Sequence, residues 1–141
     1  MATFLFKTEP SEYSFEDLMR DGKTPWTGIS NAAALGHLRK AVKGDSVLVY
    51  HTGEVRAIVG LAKVVAGPYE DPKQPGKTPT GEPKNVVVDI EAVKPAKREV
   101  TLAEIKADPR FADLLLVKQS RLSVMPIPQA QAAALRTSAG L

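Results

Sequence analysis

Apolar residues fall along this chain in short blocks, and the polar residues at their edges predict how each block folds. The run "TFLF", starting at Thr3, is β-prone and predicts a first strand. "YSFEDLMRDG" predicts a helix: Ser14 can cap it, Asp17 completes a capping box three residues on, and Gly22 stops it. "KTPWTGIS" reads as a loop, and "NAAALGHLRKAVKG" as a second helix from an Asn31 cap to a Gly44 stop. "SVLVYH" and "AIVGLAKVVAG", joined by the short turn "TGEV", predict a hairpin of buried strands. Residues 67–84 then interleave Pro68, Pro72, Pro75, Pro79 and Pro83 with glycine and charge, the pattern of a long surface loop. "NVVVDIEAV" predicts a fourth strand. "TLAEIKADPRF" predicts a short helix with Thr101 and Glu104 as its capping box. "LLLVKQ" is ambiguous by periodicity. "RLSVMPI" reads as a closing strand and "PQAQAAALR" as a last short helix after Pro128, with "TSAGL" as a fraying tail.

Several β-runs mixed with short helices, without β-α-β alternation, predict an α+β fold. The strands are often apolar at consecutive positions, which suits a small mixed β-barrel of about five or six strands, a curved sheet with a filled interior and helices packed outside. No internal repeat is visible, and 141 residues make a single domain, 1–141, able to bury about two thirds of its unfolded surface.

Composition changes this picture little. The chain is 43% hydrophobic and 25% charged, with a net charge of +3, which permits a phosphate-bearing partner without requiring one. The absence of cysteine excludes disulfides, thiol nucleophiles and cysteine-ligated zinc. No apolar run approaches the roughly 20 residues of a membrane span, and the N-terminus lacks a secretory-signal layout. A cytoplasmic protein without a membrane partner is the expectation.

Two phosphate-loop decoys fail. "GKT" occurs at Gly22 and at Gly76, but the position five residues earlier holds Asp17 or Asp71 rather than glycine. The two histidines, His37 and His51, lie in separate elements without metal-ligand spacing. No cofactor motif appears.

Four polar stretches remain, each at the end of an apolar element. They are "KTEP" (Lys7, Thr8, Glu9), "WTGISN" (Trp26, Gly28, Ile29, Asn31), "YHT" (Tyr50, His51, Thr52) and "RLS" (Arg121, Leu122, Ser123). Together they suit a planar, hydrogen-bonding ligand. Trp26 and Tyr50 offer ring faces, Asn31 can donate and accept at once, and Lys7 and Arg121 can meet a phosphate. Each has a structural alternative: Trp26 as a core anchor, Asn31 as a helix cap, His51 as a hydrogen-bonded core histidine, Lys7 and Glu9 as a surface pair. For Trp26 the two readings diverge on mutation. A stacking face would lose binding and keep the fold, whereas a core anchor would lose the fold.

The blocks "FLFKTEP…YSFEDL", "WTGISN", "GDSVLVYH", "IVGLAKVV", "YEDP" and "KQSRLSVMPI", in this order and spacing, resemble the EVE domain family from about Phe4 to Pro128. The resemblance implies a PUA-like fold, a small, strongly bent β-barrel flanked by helices, related to YTH domains. It also implies a reader of modified bases rather than an enzyme, its partner DNA carrying a modified cytosine or a modified RNA. The family pocket draws on the stretches matching "KTEP", "WTGISN", "YHT" and "RLS". The family usually has serine at Thr8 and "WDGVRN" for "WTGISN", so Thr27 and Ser30 replace an aspartate and an arginine beside the pocket. Two alternatives stay open. One is an enzyme acting on a nucleotide or RNA, with His51 as base and Lys7 or Arg121 as electrophilic group. The other is a small-metabolite binder using the same pocket.

Overall fold

Phe4, Leu5 and Phe6 are all buried, although successive side chains of a strand point to opposite faces. Consecutive apolar residues belong in a strand only when both its faces are covered. The computed structural model, which describes residues 1–141, places them in that way. Six strands form one mixed sheet: β1 (Thr3–Thr8), β2 (Lys23–Pro25), β3 (Ser46–His51), β4 (Ala57–Glu70), β5 (Val86–Thr101) and β6 (Val124–Ile127). Their order is β2-β5-β4-β3-β1-β6. Five short helices flank the sheet: α1 (Phe15–Asp21), α2 (Ala32–Leu38), α3 (Leu102–Ala107), α4 (Leu115–Lys118) and α5 (Gln129–Ala139). A 3-10 turn at Pro109–Phe111 precedes α4. None of the helices is long and apolar enough to cross a membrane.

The α+β fold with about six strands and short outer helices therefore forms, but the sheet does not close into the expected barrel. β2 and β6 are its two ends and do not pair. Pro25 and Pro126 each remove a backbone donor from one of these edge strands, which discourages further pairing there. The sheet bends through its long β4–β5 ladder, whose register shifts between Ile58 and Gly60, Leu61 and Ala62, Val64 and Ala66, and Ala66 and Tyr69. Gly60 has a second role. A Cβ there would overlap the ring of Phe15, so glycine lets α1 lie on β4.

Both capping boxes form. Ser14 Oγ accepts from the Asp17 N–H at 3.0 Å while Asp17 accepts from the Ser14 N–H at 2.9 Å, and Thr101 and Glu104 reciprocate likewise. Other expectations need correction. "KTP" is a strand, made by pairing with Asp89–Glu91 of β5. α2 stops at Leu38 rather than running on toward Gly44, because the Asp45 carboxylate takes the Val42 N–H at 2.9 Å and holds the chain in turns. β5 continues through "KPAKREV", with Val100 opposite Ile58. The tail does not fray: α5 runs to Ala139, which is buried, and Gly140 closes it in the left-handed conformation. β4 absorbs residues up to Glu70 of the proline-rich segment. The remainder is held by buried Asp71, whose N–H donates to Asn85 O at 3.0 Å, and by Arg39, which donates to Lys84 O at 2.9 Å.

One pairing places the site. β1 and β3 are parallel, joined by a crossover containing α1, β2 and α2, whereas β4 and β6 run antiparallel to them. The last residues of β1 and β3 and the first residues of β4 and β6 therefore share one edge of the sheet.

Candidate functional site

At that edge the ladder continues past the strand ends. The Lys7 N–H donates to Ser123 O and the Thr52 N–H to Thr8 O, both at 2.9 Å. Lys7, Thr8 and Glu9 then diverge. Lys7 is half-buried, donates from Nζ to Ser120 O at 2.9 Å, and sits 5.6 Å from the centroid of the Tyr50 ring. Burial lowers its pKa. Thr8 Oγ1 donates to Tyr13 O at 2.7 Å. Glu9 accepts from Ser11 through Oε1 and from Thr52 Oγ1, at 3.2 Å, through Oε2. The surface pair read as one alternative for Lys7 and Glu9 does not form.

Trp26 is 6% exposed. Its backbone N–H donates to Val88 O at 2.7 Å, and its ring packs on Phe6 (centroids 5.6 Å apart, 38° between planes) and edge-on to Tyr13 (6.4 Å, 79°). This is the core-anchor arrangement, with one rim facing outward. That rim borders a hollow of about 320 Å³ together with Thr8, Glu12, Tyr13, Pro25 and Gly28. Gly28 has φ +81° with open space around it, so its backbone angle is what calls for glycine. Ile29 is half-buried against the core.

Tyr50 and His51 are 3% and 5% exposed. His51 Nε2 accepts the Phe15 N–H at 3.0 Å, satisfying a first-turn donor of α1. The ring is therefore the neutral tautomer protonated on Nδ1, and burial depresses its pKa against the opposing pull of Glu16, Glu99 and Glu9. Its basic nitrogen is not available to a substrate. Burial likewise raises the Tyr50 pKa. Lys7, Tyr50 and Thr52 line a second hollow of about 310 Å³, which also takes Arg56, Lys106 and Ser120.

Asn31 is the N-cap of α2, its Oδ1 accepting the Ala34 N–H at 3.0 Å. The side chain is exposed, and its amide NH₂ has no protein partner. It borders a third hollow, of about 330 Å³, with Lys118, Arg121 and Leu122. Ser123 is half-buried, next to that hollow.

Three stretches thus lie at one edge, while "WTGISN" follows β2 at the other end of the β4–β5 ladder and reaches Thr8 and Leu122 through shared hollows; together the four open into three hollows. Trp26, Gly28 and Thr8 border the first, Lys7, Tyr50 and Thr52 the second, and Asn31, Arg121 and Leu122 the third. Ser120 borders the second and the third. Sequence reasoning missed Tyr13, Arg56, Lys106 and Ser120. Tyr13 stands just before a capping box, a signal that could have marked it. Arg56 and Lys106 carry no local signal, since only the sheet and α3 bring them to Lys7.

The EVE domain family model matches residues 2–137. Human thymocyte nuclear protein 1 is 30% identical, over 89% of this chain and 68% of that protein. A Rhodopseudomonas palustris protein solved by NMR superposes with a TM-score of 0.89 at 39% identity, over 99% of this chain and 94% of its own. The human THYN1 protein in complex with 5-methylcytosine-containing DNA superposes with a TM-score of 0.89 at 26% identity, over 100% of this chain and 99% of that one.

Proposed function

Because the chain belongs to the EVE domain family, we propose that it reads modified DNA, holding a strand that carries a modified cytosine with the altered base turned out into the hollow beside Trp26. The observation that carries this reading is the whole-chain likeness to a human protein in complex with 5-methylcytosine-containing DNA. The hollow supplies suitable chemistry. Tyr13 and the rim of Trp26 offer aromatic surface, Pro25 offers apolar contact to a methyl group, and the Thr8 hydroxyl keeps lone pairs for an exocyclic amine. Its volume is at the small end of ligand pockets, which suits a single base. Binding rather than turnover is supported by His51, whose basic nitrogen is already taken by a backbone N–H.

The test is a titration, at one fixed salt concentration, of duplexes of one sequence with either cytosine or 5-methylcytosine at a central position. The modified duplex should bind roughly tenfold more tightly, equivalent to about 1.4 kcal/mol. Equal affinities would overturn the reading. An RNA strand of the same sequence bound more tightly than either duplex would replace DNA with RNA as the partner.

A further inference from the structure

We infer that the second hollow is a phosphodiester site, in which Lys7, Arg56 and Lys106 hold the backbone of the bound strand next to the turned-out nucleotide. The inference rests on the modified-DNA reading and gives that site its anchor. The hollow, about 310 Å³, is lined by these three cations and by no carboxylate. None of the three forms an ion pair, so all three charges remain available to an anion. The Glu9 carboxylate, which lies against Gly53 of the lining, is held by Ser11 and Thr52, and Glu54 lines a neighbouring hollow with Arg56 and Lys106 without pairing with either.

Two of the cations are oriented by the fold, and Lys106 is exposed on α3. Lys7 Nζ is fixed by Ser120 O and by the Tyr50 ring. A half-buried ammonium without a counter-ion is costly, and an incoming anion offsets that cost. Arg56 is the one non-glycine residue with positive φ, at 48°. Backbone strain of this kind collects at functional positions. Its Nε donates to Gly53 O at 3.1 Å, which orients the guanidinium and leaves both terminal nitrogens free for a bidentate contact. Lys106 reaches in from α3.

The remainder of the lining fits a nucleotide backbone. Tyr50, Leu102 and Leu116 give an apolar floor for a sugar, with Thr52 and Ser120 at the polar rim. The position fits as well. Lys7 borders this hollow, and its neighbour Thr8 borders the hollow of Trp26. Adjacent side chains of a strand point to opposite faces, so the two hollows open on the two sides of β1 at its end, where Thr8 is the last residue, and the bound strand would pass around that end from base to phosphate.

The test uses the full chain and the double variant Arg56→Gln/Lys106→Gln, with Lys43→Gln as control. Lys43 is exposed near the start of β3, at the opposite edge of the sheet. Chemical denaturation first establishes that the variants fold as the parent does. Binding of modified and unmodified duplexes is then measured across salt concentration. The double variant should lower the slope of log affinity against log salt by about 0.9 per lost contact, so by roughly 1.8 in all. It should weaken both duplexes by the same factor and leave their ratio unchanged, while Lys43→Gln keeps the parental slope. An unchanged slope overturns the phosphodiester site, and so does a control that loses as much slope as the double variant. A parent that binds both duplexes equally, with the slope still falling in the double variant, keeps this site and overturns the modified-base reading instead. A parent that binds neither duplex overturns both.

Discussion

Trp26→Ala removes a ring that is 94% covered and touches Phe6 on one side and Tyr13 on the other. Phe6 is itself fully buried in β1, so the cavity left behind lies against the core and joins the hollow that Trp26 borders. Truncations of this kind cost about 3–5 kcal/mol, since neighbours relax only partly into the space. Native domains of this size hold about 5–15 kcal/mol in total, so the loss is between about a fifth and all of the stability. With a urea m-value near 2 kcal/mol/M, the unfolding midpoint should fall by roughly 1.5–2.5 M. Trp26→Phe keeps a ring against Phe6 and should lose much less. The assay is urea denaturation monitored by far-ultraviolet circular dichroism, because the only tryptophan is the residue removed. A midpoint within about 0.5 M of the parent, roughly 1 kcal/mol at that m-value, would refute the core role and return Trp26 to the part of an open stacking face. Loss of modified-base binding is interpretable only in Trp26→Phe, where the fold persists.

Two further outcomes are expected from the packing around α1. Gly60→Ala drives a methyl group into the Phe15 ring and should destabilise the chain by about 1–3 kcal/mol, read from thermal or chemical unfolding, with a neutral result showing that α1 can move off the sheet. His51 has its pKa depressed in the folded chain by burial, so above its ordinary value of about 6.5 it is neutral in both states and contributes no pH dependence. As pH falls below about 6.5 the unfolded chain takes up a proton that the folded chain resists, and stability should decline. Urea midpoints at pH 7.5 and 5.5 should therefore differ more in the parent than in His51→Gln, and equal differences would show that the Phe15 N–H contact does not control this titration.

Features decided within a few residues were legible in the sequence. Ser14 with Asp17 and Thr101 with Glu104 are reciprocal bonds three residues apart, and nothing distant can override their spacing. Features decided by a distant neighbour were not. "KTP" carries no strand signal and becomes β2 only because Asp89–Glu91 lies beside it. The polar run "KPAKREV" joins β5 because β4 pairs with both its ends, Leu61 and Gly60 with Lys94 and Pro95 and Ile58 with Val100, while residues 96–99 bulge between them. The parallel pairing of β1 and β3 was hidden by a crossover that sends β2 to the far edge of the sheet. "KTEP", "YHT" and "RLS" were visible because each flanks an apolar strand, and parallel β1 and β3 with antiparallel β4 and β6 bring those strand ends to a common edge, whereas "WTGISN" stood out by its tryptophan and its helix cap. Their division among three hollows depends on side-chain direction, which block boundaries do not carry.

In the stretch "KTEP", side-chain direction also decides where charge is left. Lys7 and Glu9 stand two apart, and in a continuing strand they would share a face and neutralise each other. β1 ends at Thr8, and the chain turns away at Glu9. Glu9 is then drawn to the hydroxyls of Ser11 and Thr52, on the β3 side. Lys7 remains in the strand and turns to Ser120 O, on the β6 side. The strand end thus separates opposite charges that are close in sequence. Glu9 keeps its charge but is held by two hydroxyls away from Lys7, so Lys7 has no direct counter-ion in the hollow that it shares with Arg56 and Lys106. A structural ion pair at the same place would have cancelled the field that a phosphodiester needs.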